Sequence, residues 1–139
     1  MERVVLNLIM RMSAIATMTK KIITMVSNYD LLITPTRKTL WGLLDKKAVM
    51  IGGGGSHRLN LSDAILVKDT HLDAVDHNFE LVLQRIKDSK HDTRFIEIEV
   101  ESTEEALIAA RAFEKFLGTE IRSIGVLLLD NMTAEQMAQ

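Results

Sequence analysis

Cysteine is missing from this sequence, proline occurs once, and aromatic residues make up only 4% of its 139 residues. Without cysteine the chain can form no disulfide framework, no cysteine-based zinc site and no thiol nucleophile. The absence also fits a reducing cytoplasm, which is the location that we expect. Seven glycines and the single Pro35 leave no room for a flexible linker rich in these residues. A chain of this length is expected to be one domain or a piece of one.

The sequence also has no large excess of positive or negative charge and no long apolar run. Lysine and arginine number 17 and aspartate and glutamate 19, which gives a formal net charge of -2. This balance argues against a strongly basic nucleic-acid-binding protein and against a charge-driven disordered tail. No stretch reaches the roughly 20 apolar residues that a membrane-spanning helix needs. We therefore expect neither nucleic acid nor a membrane among the partners.

The apolar pattern predicts alternating strands and helices. Helical spacing over 2–27 predicts one long helix. Short apolar runs predict strands, and the segments between and after them predict helices. The predicted strands are 31–34, 64–67, 95–100 and 124–129, and the further helices are 40–49, 72–87, one from Ser102 or Thr103 to near Gly118, and one from Thr133.

This alternation predicts an α/β fold with parallel strands, in which about four strand–helix units follow a long helix. Four strands are too few to close an eight-stranded barrel. The chain is therefore expected to be either a small open sheet or a partial (β/α) barrel.

Charged residues follow each predicted strand. Parallel α/β folds bind ligands at the carboxyl ends of their strands, so these residues are expected to share one edge of the sheet. Four cations and two carboxylates there suit a small polyanionic substrate accompanied by Mg²⁺. The cations are Arg37, Lys38, Arg58 and Lys68, and the carboxylates are Glu99 and Asp130.

A run of four glycines, Gly52 to Gly55, precedes Ser56-His57-Arg58. The run lacks the lysine and hydroxyl residue of a phosphate-binding loop, and by itself it indicates a flexible loop. Arg58 is more informative, because a guanidinium is a planar fork that matches carboxylate or phosphate. The histidines lack the spacing of a helical zinc site, and we interpret His77 and His91 as surface residues.

Seven short motifs occur in the order of one known family. They are Glu2–Asn7, Thr36–Thr39, Gly52–Gly54, His57–Arg58, Asp63–Asp69, Glu97–Val100 and Leu129–Met132. With them the chain resembles the quinolinate phosphoribosyltransferase family over nearly its whole length. The resemblance implies transfer of phosphoribosyl from phosphoribosyl pyrophosphate to quinolinate with decarboxylation. The products are nicotinate mononucleotide, on the route to NAD, and pyrophosphate, and Mg²⁺ accompanies the donor.

The family's fold has an N-terminal α/β sandwich domain followed by an irregular α/β barrel. Its members form dimers in which a residue of one subunit reaches the site of the other. The resemblance implies that residues 1–139 are a fragment of the barrel domain, without the sandwich domain and the last barrel strands. It also implies a homodimer or a higher homo-oligomer.

The resemblance assigns the pyridine dicarboxylate to residues before and after the glycine run. Arg37, His57 and Arg58 would bind its two carboxylates. Thr36 belongs to the same substrate-binding set, and Arg3 would reach into the neighbouring subunit's site.

The resemblance assigns the phosphoribosyl donor to residues at the strand ends. Lys38 and Lys68 would lie near quinolinate and face the phosphates of the donor. Glu99 and Asp130 would hold the ribose hydroxyls and Mg²⁺. These four residues are the expected catalytic set.

Two departures from the family pattern leave other functions open. Pro35 replaces the usual aspartate before the Thr-Arg-Lys-Thr motif, and Thr70 replaces the usual asparagine after Lys68-Asp69. One alternative is a paralogue of the same fold that acts on another anionic substrate. The other is a truncated, non-catalytic chain that binds a ligand or assembles with a partner.

Overall fold

The computed structural model describes residues 2–90, 93–117 and 123–138. The chain divides into two compact units, Met1–Leu59 and Asn60–Gln139. The first unit contains α1 (Glu2–Met25) and α2 (Leu43–Ile51). The second contains β1 (Ile65–Val67), α3 (Asp69–Asp73), α4 (Phe79–Asp88), β2 (Phe95–Val100), α5 (Thr103–Phe116), β3 (Ile124–Leu129) and α6 (Ala134–Met137). Within the described ranges, no helix is both long and apolar enough to cross a bilayer.

The second unit is built on a three-stranded parallel sheet in the order β1-β2-β3. Side chains alternate between the two faces of a strand, and the even-numbered residues of β2, Ile96, Ile98 and Val100, are completely buried. They form one core with apolar residues of α4 and α5, among them Leu83 and Phe113. Apolar burial therefore holds the two helices against one face of the sheet.

The sequence predicts most of this unit correctly. The strands expected at 95–100 and 124–129 have these bounds, and the strand expected at 64–67 is one residue shorter. The Ser102 hydroxyl accepts the backbone N–H of Glu105 at 3.1 Å and caps α5. The expected end of α5 near Gly118 lies outside the described residues.

One predicted helix is interrupted. The pattern over 72–87 predicts a continuous helix, and the structure has α3 and α4 instead. Asp76 and His77 between them have φ values of 50° and 53°, which a right-handed helix cannot contain. The Asn78 side chain then accepts the backbone N–H of Leu81 at 3.0 Å and starts α4. Asparagine is a preferred residue at a helix start, so the break has a local cause.

The predicted strand at 31–34 is wrong. Leu31 and Leu32 are 60% and 72% exposed, and no strand forms there. The segment makes one backbone hydrogen bond to the glycine run, from Gly55 N to Ile33 O at 2.9 Å, and one such bond is not a ladder. A short apolar run alone does not determine a strand. The described residues therefore contain three strands rather than the four that the sequence predicts.

The first unit joins its two helices through a charged contact. Arg11 on α1 donates from Nε and Nη2 to the two carboxylate oxygens of Asp45 on α2, at 2.8 and 2.7 Å. The same guanidinium lies over the Trp41 ring, 4.9 Å from its centroid, and the Trp41 backbone N–H donates to Asp45 at 3.1 Å. The hydrogen bond from Arg11 lowers the pKa of Asp45 below its ordinary value, although burial opposes the shift.

Candidate functional site

Two glycines of the run in the first unit, Gly52 and Gly54, are tightly packed against other backbone. A Cβ atom at Gly52 would lie 2.5 Å from the carbonyl oxygen of Ala16, on α1. A Cβ atom at Gly54 would lie 2.6 Å from the carbonyl oxygen of Ile33. Glycine is required at both positions because another backbone approaches them closely.

The residues after the glycine run include a buried arginine. His57 has a positive φ of 52°, which is uncommon for a residue other than glycine, and its side chain is half-buried. Arg58 is 6% exposed, and among the described residues its Nε has no hydrogen-bond partner. A buried donor without an acceptor costs free energy, so an anion that supplied an acceptor would be bound favourably. The pair therefore has the chemistry of an anion site.

Thr36, Arg37 and Lys38 are exposed and lie in a turn. The Lys38 backbone N–H donates to the Thr36 hydroxyl at 3.2 Å, and the Thr39 backbone N–H donates to the Arg37 carbonyl at 2.9 Å. The bond between Gly55 and Ile33 holds the start of this segment beside the glycine run. The first unit thus joins the two predicted dicarboxylate-binding segments through their backbones and leaves both cationic side chains of the turn open to solvent.

Lys68, Glu99 and Asp130 lie at the carboxyl edge of the sheet in the second unit. Lys68 follows β1, Glu99 pairs in register with Leu128, and Asp130 follows β3 with its backbone N–H bound to the Val100 carbonyl at 3.0 Å. Burial raises the pKa of Glu99 above its ordinary value. The charge of Lys68 opposes this shift, whereas the charges of Asp130 and Asp69 and a hydrogen bond to Asp130 add to it. Of the six charged residues that the sequence predicts at one edge of the sheet, Lys68, Glu99 and Asp130 lie there. Arg37 and Lys38 follow no strand, because the strand expected at 31–34 does not form.

The carboxylates at this edge suit a Mg²⁺ ion that also has other ligands. Among the described residues, no group of three or more histidine, aspartate or glutamate side chains could hold a metal. Glu99 and Asp130 are nevertheless neighbours at this edge, since the charge of Asp130 contributes to the raised pKa of Glu99. Mg²⁺ is commonly bound by one or two carboxylates together with substrate phosphates. The pair therefore fits Mg²⁺ if the substrate completes its coordination.

The remaining predicted residues lie apart from these clusters. Arg3 is exposed in the first turn of α1. His77 is exposed, as predicted, and its two ring nitrogens contact Asp73 and Glu105, each at 3.0 Å. His91 lies outside the described residues.

The sequence analysis misses Lys46 on α2. Its Nζ is buried and donates to the backbone carbonyls of Ser56 at 3.1 Å and Arg58 at 2.6 Å. A signal was present, because Asp45-Lys46 precedes Ala48-Val49 within one helical turn and all four residues share the buried side of α2. Charged residues on the apolar side of a helix are normally buried with partners.

A family model described as "Quinolinate phosphoribosyl transferase, C-terminal domain" matches residues 15–139. The chain belongs to this family. It is 41% identical over 138 residues to a probable nicotinate-nucleotide pyrophosphorylase (carboxylating) of Methanothermobacter thermautotrophicus, which covers 96% of the chain and 46% of the relative. It is 37% identical over 136 residues to quinolinate phosphoribosyltransferase (decarboxylating) 2a, mitochondrial, of Nicotiana tabacum. This match covers 94% of the chain and 37% of the relative.

Solved structures of the quinolinate phosphoribosyltransferase family show the same fold. The crystal structure of NadC from Streptococcus pyogenes superposes with a TM-score of 0.80 at 36% identity, over 98% of this chain and 45% of that one. The chain spans about half the length of the curated relatives that it matches.

Proposed function

We propose that this chain takes part in phosphoribosyl transfer from phosphoribosyl pyrophosphate to quinolinate, with decarboxylation to nicotinate mononucleotide. The observation that carries the proposal is the buried Arg58, whose Nε lacks a partner among the described residues. Quinolinate has two adjacent carboxylates and would supply the missing acceptor. Membership of the family supports the same reaction.

The dicarboxylate is the ligand that we assign to the first unit. Arg58 and His57 would bind it from the packed loop, and Arg37 and Thr36 from the exposed turn. Charge-assisted hydrogen bonds of this kind are among the stronger polar contacts and they fix orientation. Their role would be to hold the pyridine ring in one orientation for the reaction.

The ribose and the phosphates are the ligands that we assign to Lys68, Glu99 and Asp130 of the second unit. For Lys38, the resemblance to the family implies a role with the phosphates. The lysines would stabilise the negative charge on the departing pyrophosphate. The two carboxylates would bind the ribose hydroxyls and stabilise the positive charge that develops at the ribose carbon. Mg²⁺, held by Glu99 and Asp130, would neutralise donor phosphates when bound.

Further parts of the proposal concern the architecture. The parallel sheet is proposed to belong to a partial (β/α) barrel within a catalytic domain. A homodimer or higher homo-oligomer is proposed as well, with Arg3 reaching the partner's site. It is supported by the exposed apolar residues around Arg3, such as Val4 and Leu6, which are 74% and 57% exposed. A cytoplasmic location is proposed from the absence of cysteine.

The proposal is tested by the release of carbon dioxide from carboxyl-labelled quinolinate, with the product of the entire reading frame that encodes this chain. We expect release that requires both phosphoribosyl pyrophosphate and Mg²⁺. Arg58→Ala should raise the quinolinate KM by about 10- to 100-fold, because a charged hydrogen bond contributes about 1.5–3 kcal/mol. Arg85→Ala, which removes an exposed arginine from α4, serves as the matched control and should leave the KM unchanged.

A folded wild-type protein that released no carbon dioxide would contradict the reaction. Normal turnover of Arg58→Ala would contradict the role of Arg58 and leave the reaction standing. Turnover of nicotinate in place of quinolinate would favour another substrate for the same fold.

A further inference from the structure

The loop that presents His57 and Arg58 is held by a buried side chain of α2. Lys46 is 3% exposed, and its Nζ donates to the carbonyls of Ser56 and Arg58 at 3.1 and 2.6 Å. The Ser56 hydroxyl donates to the intervening carbonyl of His57 at 3.0 Å. Three successive carbonyls of the loop are therefore engaged by two side chains.

These hydrogen bonds surround a residue with an unfavourable backbone conformation. His57 has a φ of 52°, a conformation that costs free energy for a residue with a side chain. Such a conformation persists only if the surroundings impose it, and the two bonds from Lys46 bracket His57 on both sides. The close packing of Gly52 and Gly54 fixes the loop only before this point.

Lys46 is itself held in place through α2. The preceding residue, Asp45, accepts two hydrogen bonds from Arg11 and one from the Trp41 backbone. Asp45 and Lys46 are consecutive residues of α2. The hydrogen bonds that fix Asp45 against α1 therefore also fix the backbone from which the Lys46 side chain extends. A burial this deep is unusual for a lysine and indicates a specific role for its amino group.

We propose that Lys46 is a positioning residue for substrate binding, which fixes the backbone of residues 56–58 so that His57 and Arg58 converge on one anion. It touches the loop and not the substrate. The proposal rests on the proposed function for the identity of the ligand, but the predicted effect on the loop does not depend on it. Positioning of this kind should affect the binding of one substrate and leave that of the other unchanged.

The test replaces Lys46 by methionine, which keeps the length and apolar stem but removes the amino group. Lys47→Met, an exposed neighbour on the same helix, is the matched control. In the product of the entire reading frame, Lys46→Met should raise the quinolinate KM by about tenfold or more, because small displacements of binding groups have effects of this order. The KM for phosphoribosyl pyrophosphate should stay unchanged, and Lys46→Arg, which restores donors, should recover part of the loss.

Amide hydrogen exchange provides a readout that needs no substrate. Lys46→Met should speed exchange over residues 55–59 and leave exchange in β2 and α5 unchanged. An unchanged quinolinate KM together with unchanged exchange over 55–59 would overturn the proposal, as would an equal rise in both KM values. If Lys46→Met does not fold, Lys46→Gln replaces it with the same two expectations.

The outcomes separate this proposal from the proposed function. Wild-type protein that does not turn over quinolinate, combined with faster loop exchange in Lys46→Met, would reject the reaction and keep the role of Lys46 in the loop. Normal turnover by the wild type, combined with an unchanged quinolinate KM and unchanged loop exchange in Lys46→Met, would keep the reaction and reject the role of Lys46.

Discussion

The two units of the chain are stabilised by different kinds of contact. The second unit buries a continuous apolar cluster in which Leu83, Ile96 and Ile98 are fully inaccessible. The first unit buries Asp45, Lys46 and Arg58, while Leu43 and Leu44 of the same region are 62% and 42% exposed. Apolar burial is non-directional, whereas hydrogen bonds to buried polar groups depend on distance and angle. The polar unit is therefore suited to hold a ligand-binding loop, and the apolar unit provides a stable sheet for the strand-end residues.

The largest expected effect tests the apolar core of the second unit. Leu83→Ala removes a fully buried side chain and should lower the free energy of unfolding by about 2–5 kcal/mol, because it leaves a cavity. Leu107→Ala, on α5 and 57% exposed, is the control and should change stability by less than about 0.5 kcal/mol. Denaturant unfolding measures both. Equal losses in the two variants would mean that burial does not distinguish these positions.

An intermediate effect is expected in the glycine run of the first unit. Gly54→Ala places a Cβ 2.6 Å from the Ile33 carbonyl oxygen, which is backbone and cannot rotate away. It should cost about 1–3 kcal/mol, as overpacking does elsewhere. Gly55→Ala is the matched control, since the atoms nearest to its Cβ would belong to the side chains of Leu32 and Thr34, at 3.0 Å or more. The Tm of Gly54→Ala should be well below that of Gly55→Ala. The reverse order of Tm values would contradict the packing described.

The smallest effect should depend on pH and tests the charged contact of the first unit. The hydrogen bond from Arg11 lowers the pKa of Asp45 in the folded protein. The carboxylate therefore contributes stability at pH values above its unfolded pKa, and this contribution is lost as the pH falls through the folded pKa. Asp45→Asn should be less stable than the wild type at neutral pH, and the difference should shrink in acid.

Unfolding of the wild type and of Asp45→Asn at several pH values measures this difference. Asp30→Asn, which changes an exposed residue of the same unit, is the control and should leave the free energy of unfolding at neutral pH nearly unchanged. A difference between the wild type and Asp45→Asn that stayed constant from neutral to acidic pH would show that the ion pair contributes nothing through its charge.

The sequence alone was sufficient for most of the second unit because the apolar residues of its strands and helices follow regular periods. In β2, buried isoleucines and valine alternate with glutamates, and in α5 a hydroxyl cap precedes an amphipathic pattern. Apolar pattern and burial agree at the even-numbered positions of β2, although Glu97 is buried as well. The strand ends and the positions of Lys68, Glu99 and Asp130 at them could therefore be predicted. The break between α3 and α4 was not predicted. It depends on the positive φ values of Asp76 and His77, and the apolar pattern contains no information about φ.

The first unit shows what only the tertiary structure decided. The run Leu31-Leu32 predicts a buried strand, but both side chains are exposed and no strand forms. A strand needs a neighbouring strand to pair with, and the local sequence does not specify one. The glycines at 52 and 54 resemble a flexible loop, yet they are required by α1 and Ile33, which are distant in sequence. The residue types and motifs determined the family and the charged set of candidate residues. The packed loop, the Arg58 Nε that finds no partner among the described residues, and the contacts of Lys46 depend on atoms brought together by folding, and only the three-dimensional structure reveals them.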